Sequence, residues 1–282
     1  MKVTFFGVRG STPCHGPAVA RYGGNTSCVA VEVPGHDPVF LDLGTGARDL
    51  GHRLPNDGTF RGVCLLSHLH WDHAQGLPFF TPLHACGAVL DVYAPRQDDG
   101  RSVADAIDQV IRPPLFPVTV HDLPGSVRFH DTDDGTFQIG EIRVTARTVP
   151  HVGPTLGFRL EWGGRSLAYV SDHQQPSGDR YELSPAVREL ADGVDLLIHD
   201  AQYTPEEFAH KQTWGHCTAD FALWVAGQCN VRQLALFHHD PTRSDEALDE
   251  LGVRAVEHGR RAGFSVEMAV EGLTLDLALG SV

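Results

Sequence analysis

The chain has 282 residues, 41% hydrophobic and 21% charged, enough to bury a full core without disulfide help. Its 22 Lys and Arg stand against 36 Asp and Glu, and the formal charge of −14 disfavours a broad grip on long nucleic acid, where basic side chains must neutralise phosphates. No apolar run reaches membrane-spanning length, and Lys2 to Val8 reads as a strand instead of a basic segment followed by a long apolar one, so a soluble cytoplasmic protein with no membrane partner is expected. Cys14, Cys28, Cys64, Cys86, Cys217 and Cys229 form no CxxC pair and read as reduced structural thiols.

In chain order, Val3 to Val8, Ser27 to Val33 and Pro38 to Leu43 read as strands divided by Gly- and Pro-rich turns. A short helical pattern through Leu50 and Leu54 follows Asp42-Leu43-Gly44-Thr45-Gly46, and Gly62 to Leu66 reads as a buried strand. Residues 76–120 then interrupt the pattern with Leu77-Pro78-Phe79-Phe80, a helix-like Ser102 to Ile111 and the Pro-rich Arg112 to Pro117, and they are expected to form a lid or wall. Further strands fall between about Val127 and Val170. The last third alternates strands at Val194 to Ile198 and Val231 to Phe237 with helices at Thr218 to Val225 and Asp245 to Ala262. Strands followed by helices, twice over, predict one α/β domain over residues 1–282, an αββα sandwich of two facing mixed sheets with helices outside.

The chemistry concentrates in Ser67-His68-Leu69-His70-Trp71-Asp72-His73, directly after the buried strand. Packing does not ask for three imidazoles and a carboxylate in a row, whereas metal coordination does, and imidazole with carboxylate suits zinc, manganese or iron. Two cations need more ligands than one loop supplies. Other strand ends offer them at His151 after Thr148-Val149-Pro150, at Asp172 after Val170-Ser171, and at His238 after Leu236-Phe237. The reading is that His68, His70 and His151 hold one metal, that Asp72, His73 and His238 hold the second, and that Asp172 bridges them. His239 competes with His238 for its role, and His173 with Asp172. Asp42 and Asp200 are candidates to hydrogen-bond ligand histidines from behind, a task that fixes tautomer and ring orientation. Arg9-Gly10-Ser11 and Gly23-Gly24-Asn25-Thr26 read as small-residue turns.

With these residues in this order, the chain resembles the metallo-β-lactamase superfamily over most of its length, and within it the branch of RNase Z and the small cyclic phosphodiesterases. The superfamily's β-lactamases usually carry cysteine where this chain has Asp172, which points away from antibiotic hydrolysis. Gly7 to Pro13, Tyr22 to Ser27, Arg112 to Val118 and Trp214-Gly215-His216-Cys217-Thr218 resemble a bacterial subgroup described as phosphoribosyl-cyclic-phosphate or cyclic-nucleotide phosphodiesterases. The resemblance implies two divalent metal ions, zinc first with manganese or iron as alternatives, and hydrolysis of a small cyclic phosphodiester by a hydroxide bridging the metals. Asp72 would also orient that hydroxide, and His216 would protonate the leaving oxygen or hold the phosphate. A homodimer in which residues 76–120 cover the site is a further implication. RNase Z-like tRNA processing and a lactonase- or thioesterase-type acyl hydrolase are the rival activities, and a metal-stabilised binding module is the rival of another class.

Overall fold

Two seven-stranded sheets face each other in the computed structural model, which describes residues 1–178 and 180–277. The first contains β1 (Lys2–Gly7), β2 (Cys28–Glu32), β3 (Val39–Leu41), β4 (Arg61–Leu65), β5 (Val89–Pro95), β6 (Ser126–Thr132) and β14 (Thr274–Asp276), in the order β14-β1-β2-β3-β4-β5-β6. The second contains β7 (Gly135–Ile139), β8 (Ile142–Thr148), β9 (Leu156–Trp162), β10 (Arg165–Val170), β11 (Leu196–Asp200), β12 (Gln233–Phe237) and β13 (Ser265–Met268), in the order β13-β12-β11-β10-β9-β8-β7. Both repeat one wiring. From β14 to β3 and from β7 to β10 the pairings are antiparallel; from β3 to β6 and from β10 to β13 they are parallel. The parallel strands therefore end on a common edge of each sheet, which is where loops bearing functional groups collect.

Between the sheets Phe5, Leu41 and Leu65 meet Phe158, Tyr169 and Phe237 in a continuous buried cluster. The outer face of the first sheet is covered by α1 (Gly46–Gly51), α3 (Val103–Asp108) and the turns bearing Phe80 and Leu83. The outer face of the second is covered by α4 (Pro185–Ala191), α6 (Ala219–Gln228) and α7 (Asp245–Ala262), while α2 (Trp71–Ala74) and α5 (Pro205–Lys211) lie at the site edge. Helices on one face and the first sheet on the other explain why β11 is buried at every residue and β12 at all but its first, and why each reads as a nearly unbroken apolar run. Helix starts follow local chemistry: the Ser244 hydroxyl accepts from Ala247 N at the head of α7, and Gly263 ends that helix at φ 91°.

Residues 76–120 depart from the expected lid in one respect: their middle is β5, paired in parallel with β4 on one side and β6 on the other. Leu90, Val92 and Ala94 are buried against the helices outside the first sheet, while Asp91 and Tyr93 alternate with them, half-buried, with Tyr93 stacked on Phe137 of the second sheet, and that alternation conceals a central strand from a search for apolar runs. Phe80, Leu83, Val103 and Ile107 are buried against the first sheet, leaving Phe79, Leu115 and Val118 exposed. Strands β13 and β14 and helices α4 and α5 also lie outside the elements read from sequence. The six cysteines are all free thiols; four are buried, Cys14 is partly covered and Cys86 is exposed. Among the described residues no helix is long and apolar enough to cross a membrane.

Candidate metal centre

All seven candidate ligands converge at one end of the sandwich. After β4 the chain passes through Leu66 and Ser67 to His68, stays extended at His70, and turns into the four-residue α2, which carries Asp72 and His73 back towards the sheet. His151 follows β8, Asp172 follows β10 and His238 follows β12. His238 takes a left-handed backbone, φ 57°, as do Asp42 at φ 63° and Ser11 at φ 61°. Such a conformation costs a non-glycine residue of order 1–3 kcal/mol, and here it occurs where strands must bend abruptly to aim a side chain.

Asp172 lies at the middle of the cluster. One of its oxygens is 3.2 Å from His73 Nε2 and 3.5 Å from His238 Nε2; the other is 3.9 Å from His68 Nε2 and 3.8 Å from His151 Nε2. His151 Nε2 approaches His70 Nδ1 at 3.2 Å, and Asp72 Oδ2 is 3.3 Å from His73 and 3.2 Å from His238. Among the described residues five subsets bring their donor atoms close enough for one ion each: His68 with His70 and His151, Asp72 with His73 and His238, His68 with His73 and Asp172, and two that include His216, with His151 and Asp172 and with Asp200 and His238.

The hydrogen bonds behind these rings define which nitrogens face inward. His73 Nδ1 lies 2.7 Å from the Asp42 carboxylate, which can only accept, so Nδ1 carries the proton. His151 Nδ1 donates to the Gly215 carbonyl at 2.6 Å, and His238 Nδ1 donates to Gln202 Oε1 at 2.8 Å. Ser67 Oγ donates to Asp42 at 3.0 Å and accepts from His68 Nδ1 at 3.0 Å. Each of these four rings thus turns its Nε2 to the cluster. The Nε2 atoms of His73 and His238 are 3.2 Å apart, a contact that two lone pairs cannot stabilise and that a shared proton or metal cation can. His68 Nε2 and Asp172 Oδ2 are buried without a hydrogen-bond partner. A centre of this donor composition fits divalent cations.

Electrostatics agrees. Asp42, Asp72, Asp172 and Asp200 are all buried, and among the described residues none pairs with Lys or Arg; their charged neighbours are imidazoles. Burial opposes charge on Asp72 and Asp172, but the surrounding histidines hold both well below the usual carboxylate range. Burial likewise opposes charge on His73, yet Asp172, Asp72 and Asp42 push its pKa well up. His68, His70 and His151 are lowered, chiefly by burial, and so stay neutral with lone pairs available. The buried carboxylates draw positive charge to the pocket, and His73 and His216 answer with raised pKa values.

The two competing histidines point elsewhere. His239 Nε2 bonds the Ala269 carbonyl at 2.9 Å, and burial pushes its pKa down to about 3. His173 Nδ1 bonds His199 Nε2 at 2.9 Å, away from the seven. His216 does reach the centre: its Nδ1 is 3.0 Å from Asp200 and 3.5 Å from Asp172, and its ring stacks on His238 at 4.9 Å. Asp200 therefore backs His216 and also accepts from the amides of His173 and Gln202. Burial lowers the His216 pKa, but the Asp200 carboxylate outweighs it and the net shift is upward. Thr218 caps the following helix, accepting from Phe221 N.

Gly10 and Ser11 belong to the site more closely than a plain turn would. Ser11 N donates to Asp72 Oδ2 at 2.7 Å, and a Cβ on Gly10 would lie 2.3 Å from His238 Nδ1. Sequence reading missed Gln202, whose amide bonds both His238 and Ser11 Oγ, and Tyr169, whose hydroxyl donates to Asp42 at 2.6 Å. Both are buried polar groups at or beside strand ends, and that placement was the signal available.

Comparison with known proteins agrees with this geometry. The family model described as "Beta-lactamase superfamily domain" matches residues 37–239. Ribonuclease Z of Haloferax volcanii is 29% identical, the alignment covering 84% of each chain. Among solved structures, Zn(2+)-bound PqqB from Methylobacterium extorquens superposes with a TM-score of 0.71 at 18% identity, covering 98% of this chain and 100% of that one. A diphosphatase from the PhnP family gives 0.68 at 19% identity, covering 97% and 96%. The chain belongs to the metallo-β-lactamase superfamily of hydrolases.

Proposed function

We propose that the chain is a dinuclear metal-dependent phosphodiesterase acting on a small cyclic phosphodiester, a cyclic nucleotide or a phosphoribosyl cyclic phosphate. His68, His70 and His151 would hold one divalent cation and Asp72, His73 and His238 the other, with Asp172 as the carboxylate between the two sets. The observation that carries this reading is the set of four Nε2 atoms turned inward by outer hydrogen bonds, around carboxylates that, among the described residues, no Lys or Arg neutralises. Zinc is the first choice of metal, given the donor set and the zinc in the PqqB neighbour, with manganese or iron as alternatives.

Two cations in such a site lower the pKa of a bound water and neutralise charge on the non-bridging phosphate oxygens. The chain's own residues do the rest. Asp72, steadied by Ser11 N, has a carboxylate placed to orient the attacking water. His216, its Nδ1 bonded to Asp200 and its pKa raised, keeps a proton on Nε2 for the leaving oxygen.

A ribonuclease Z-type activity on tRNA is the second reading, favoured by the Haloferax relative whose alignment spans most of both chains. The charge of −14 argues against it. Initial rates on cyclic nucleotides, a precursor tRNA and a lactone separate the readings: turnover of the cyclic diesters alone supports the proposal, while cleavage of the tRNA or the lactone alone overturns it.

A further inference from the structure

We propose that Trp71 and Trp214 form an aromatic rim that stacks a planar base carried by the substrate, so that the preferred diester is a nucleoside phosphodiester and not a bare sugar phosphate. This rests on the phosphodiesterase reading and deepens it. Large apolar side chains are normally buried, yet Trp71 is 49% exposed and Trp214 is 61% exposed. Both flank the centre. Trp71 stands between His70 and Asp72, and His70 is the solvent-facing member of the ligand set. His70 Nδ1 is 3.2 Å from His151 Nε2, and His151 Nδ1 bonds the carbonyl of Gly215, the residue after Trp214. Val152, next to His151, is also 51% exposed, so the open edge of a highly polar centre is bordered by apolar surface.

Trp214 is not a loose side chain. Its amide bonds the Lys211 carbonyl at 3.0 Å, and the Lys211 ammonium lies 5.6 Å from its ring and 4.6 Å from the ring of Tyr203. Tyr203 in turn meets His216 edge-on at 5.7 Å. A cation held against one face of an indole fixes the ring and leaves its other face for a stacked partner. Bases stack on such platforms through their π-faces, with little dependence on sequence. A ribose phosphate without a base has nothing to set there.

The test compares two diesters sharing one leaving group, the p-nitrophenyl ester of thymidylate and ethyl p-nitrophenyl phosphate, on the zinc-loaded protein. In Trp71→Ala and in Trp214→Ala, the kcat/KM ratio favouring the thymidylate ester is expected to fall about tenfold or more, as for loss of one base–aromatic stack. Trp214→Phe, which keeps a ring, should recover most of it. An unchanged ratio in folded, metal-loaded variants overturns the proposal. So does a variant that shifts the protein between monomer and dimer at constant ratio, which would mean that a second copy covers the rim. If the unsubstituted protein hydrolyses neither ester, the phosphodiesterase reading itself fails and takes the proposal with it.

Discussion

Asp42 accepts a hydrogen bond from His73 Nδ1 at 2.7 Å, so a residue at the end of one strand determines which nitrogen of a histidine three elements later faces the candidate metal centre. The same carboxylate accepts from Ser67 N, Ser67 Oγ and Tyr169 Oη, which leaves it little freedom to move. Asp42→Ala should therefore weaken divalent-metal affinity by roughly 10–100-fold with little change in secondary structure. Chelator-competition titration of zinc, alongside circular dichroism, measures both. Unchanged affinity would mean that His73 needs no orienting partner.

Gly10 and Gly215 press their Cα atoms against two of the ligand rings. A Cβ at Gly10 would stand 2.3 Å from His238 Nδ1, and one at Gly215, where φ is +94°, would stand 2.4 Å from His151 Cε1. Gly10→Ala and Gly215→Ala are each expected to lower bound metal and activity together, read by elemental analysis and rate. Full metal content in either variant would show that the ring can give way.

His216 should set the alkaline limb of the pH profile. Its pKa is raised, so the acid form persists above the ordinary imidazole value and kcat falls as pH climbs through the raised one. Asp200→Asn removes the carboxylate that opposes burial, and the limb should move to lower pH. His216→Ala should keep its metal and lose roughly 10²-fold in rate. A profile of kcat against pH that is identical in Asp200→Asn would remove this pair from the proton path.

Phe158 is fully buried between the sheets, and Phe158→Ala should destabilise the fold by about 3–5 kcal/mol in urea unfolding. Leu115, 73% exposed, should tolerate alanine within about 0.5 kcal/mol. Equal effects of the two substitutions would contradict the assignment of the core.

Much of this was legible in the sequence because metal ligands at strand ends carry their own context: an apolar run, then an abrupt polar residue. Asp172 and His238 stand out in that way. Choosing between His238 and His239 by strand alternation is unsafe, since the left-handed backbone of His238 breaks the alternation just where it would be needed. β5 stayed hidden because Asp91 interrupts its apolar pattern, and β14 because its partner β1 lies at the opposite end of the chain, beyond any local signal. Helix α5 was missed although its start carries a local signal: Thr204-Pro205-Glu206-Glu207 is a capping box, with Thr204 and Glu207 bonded reciprocally. Gln202 and Tyr169 reach the site through contacts distant in sequence, and no spacing rule finds them.

The most direct test of the central claim is hydrolysis of bis(p-nitrophenyl) phosphate by the purified protein, with and without chelator, after zinc or manganese loading, with metal content measured in parallel and Asp172→Ala as control. Two metals per chain, turnover that the chelator abolishes and metal restores, and loss of both metal and turnover in Asp172→Ala are the predicted results. Turnover indifferent to the chelator, or an Asp172→Ala protein with full metal and normal rate, would contradict a two-metal phosphodiesterase.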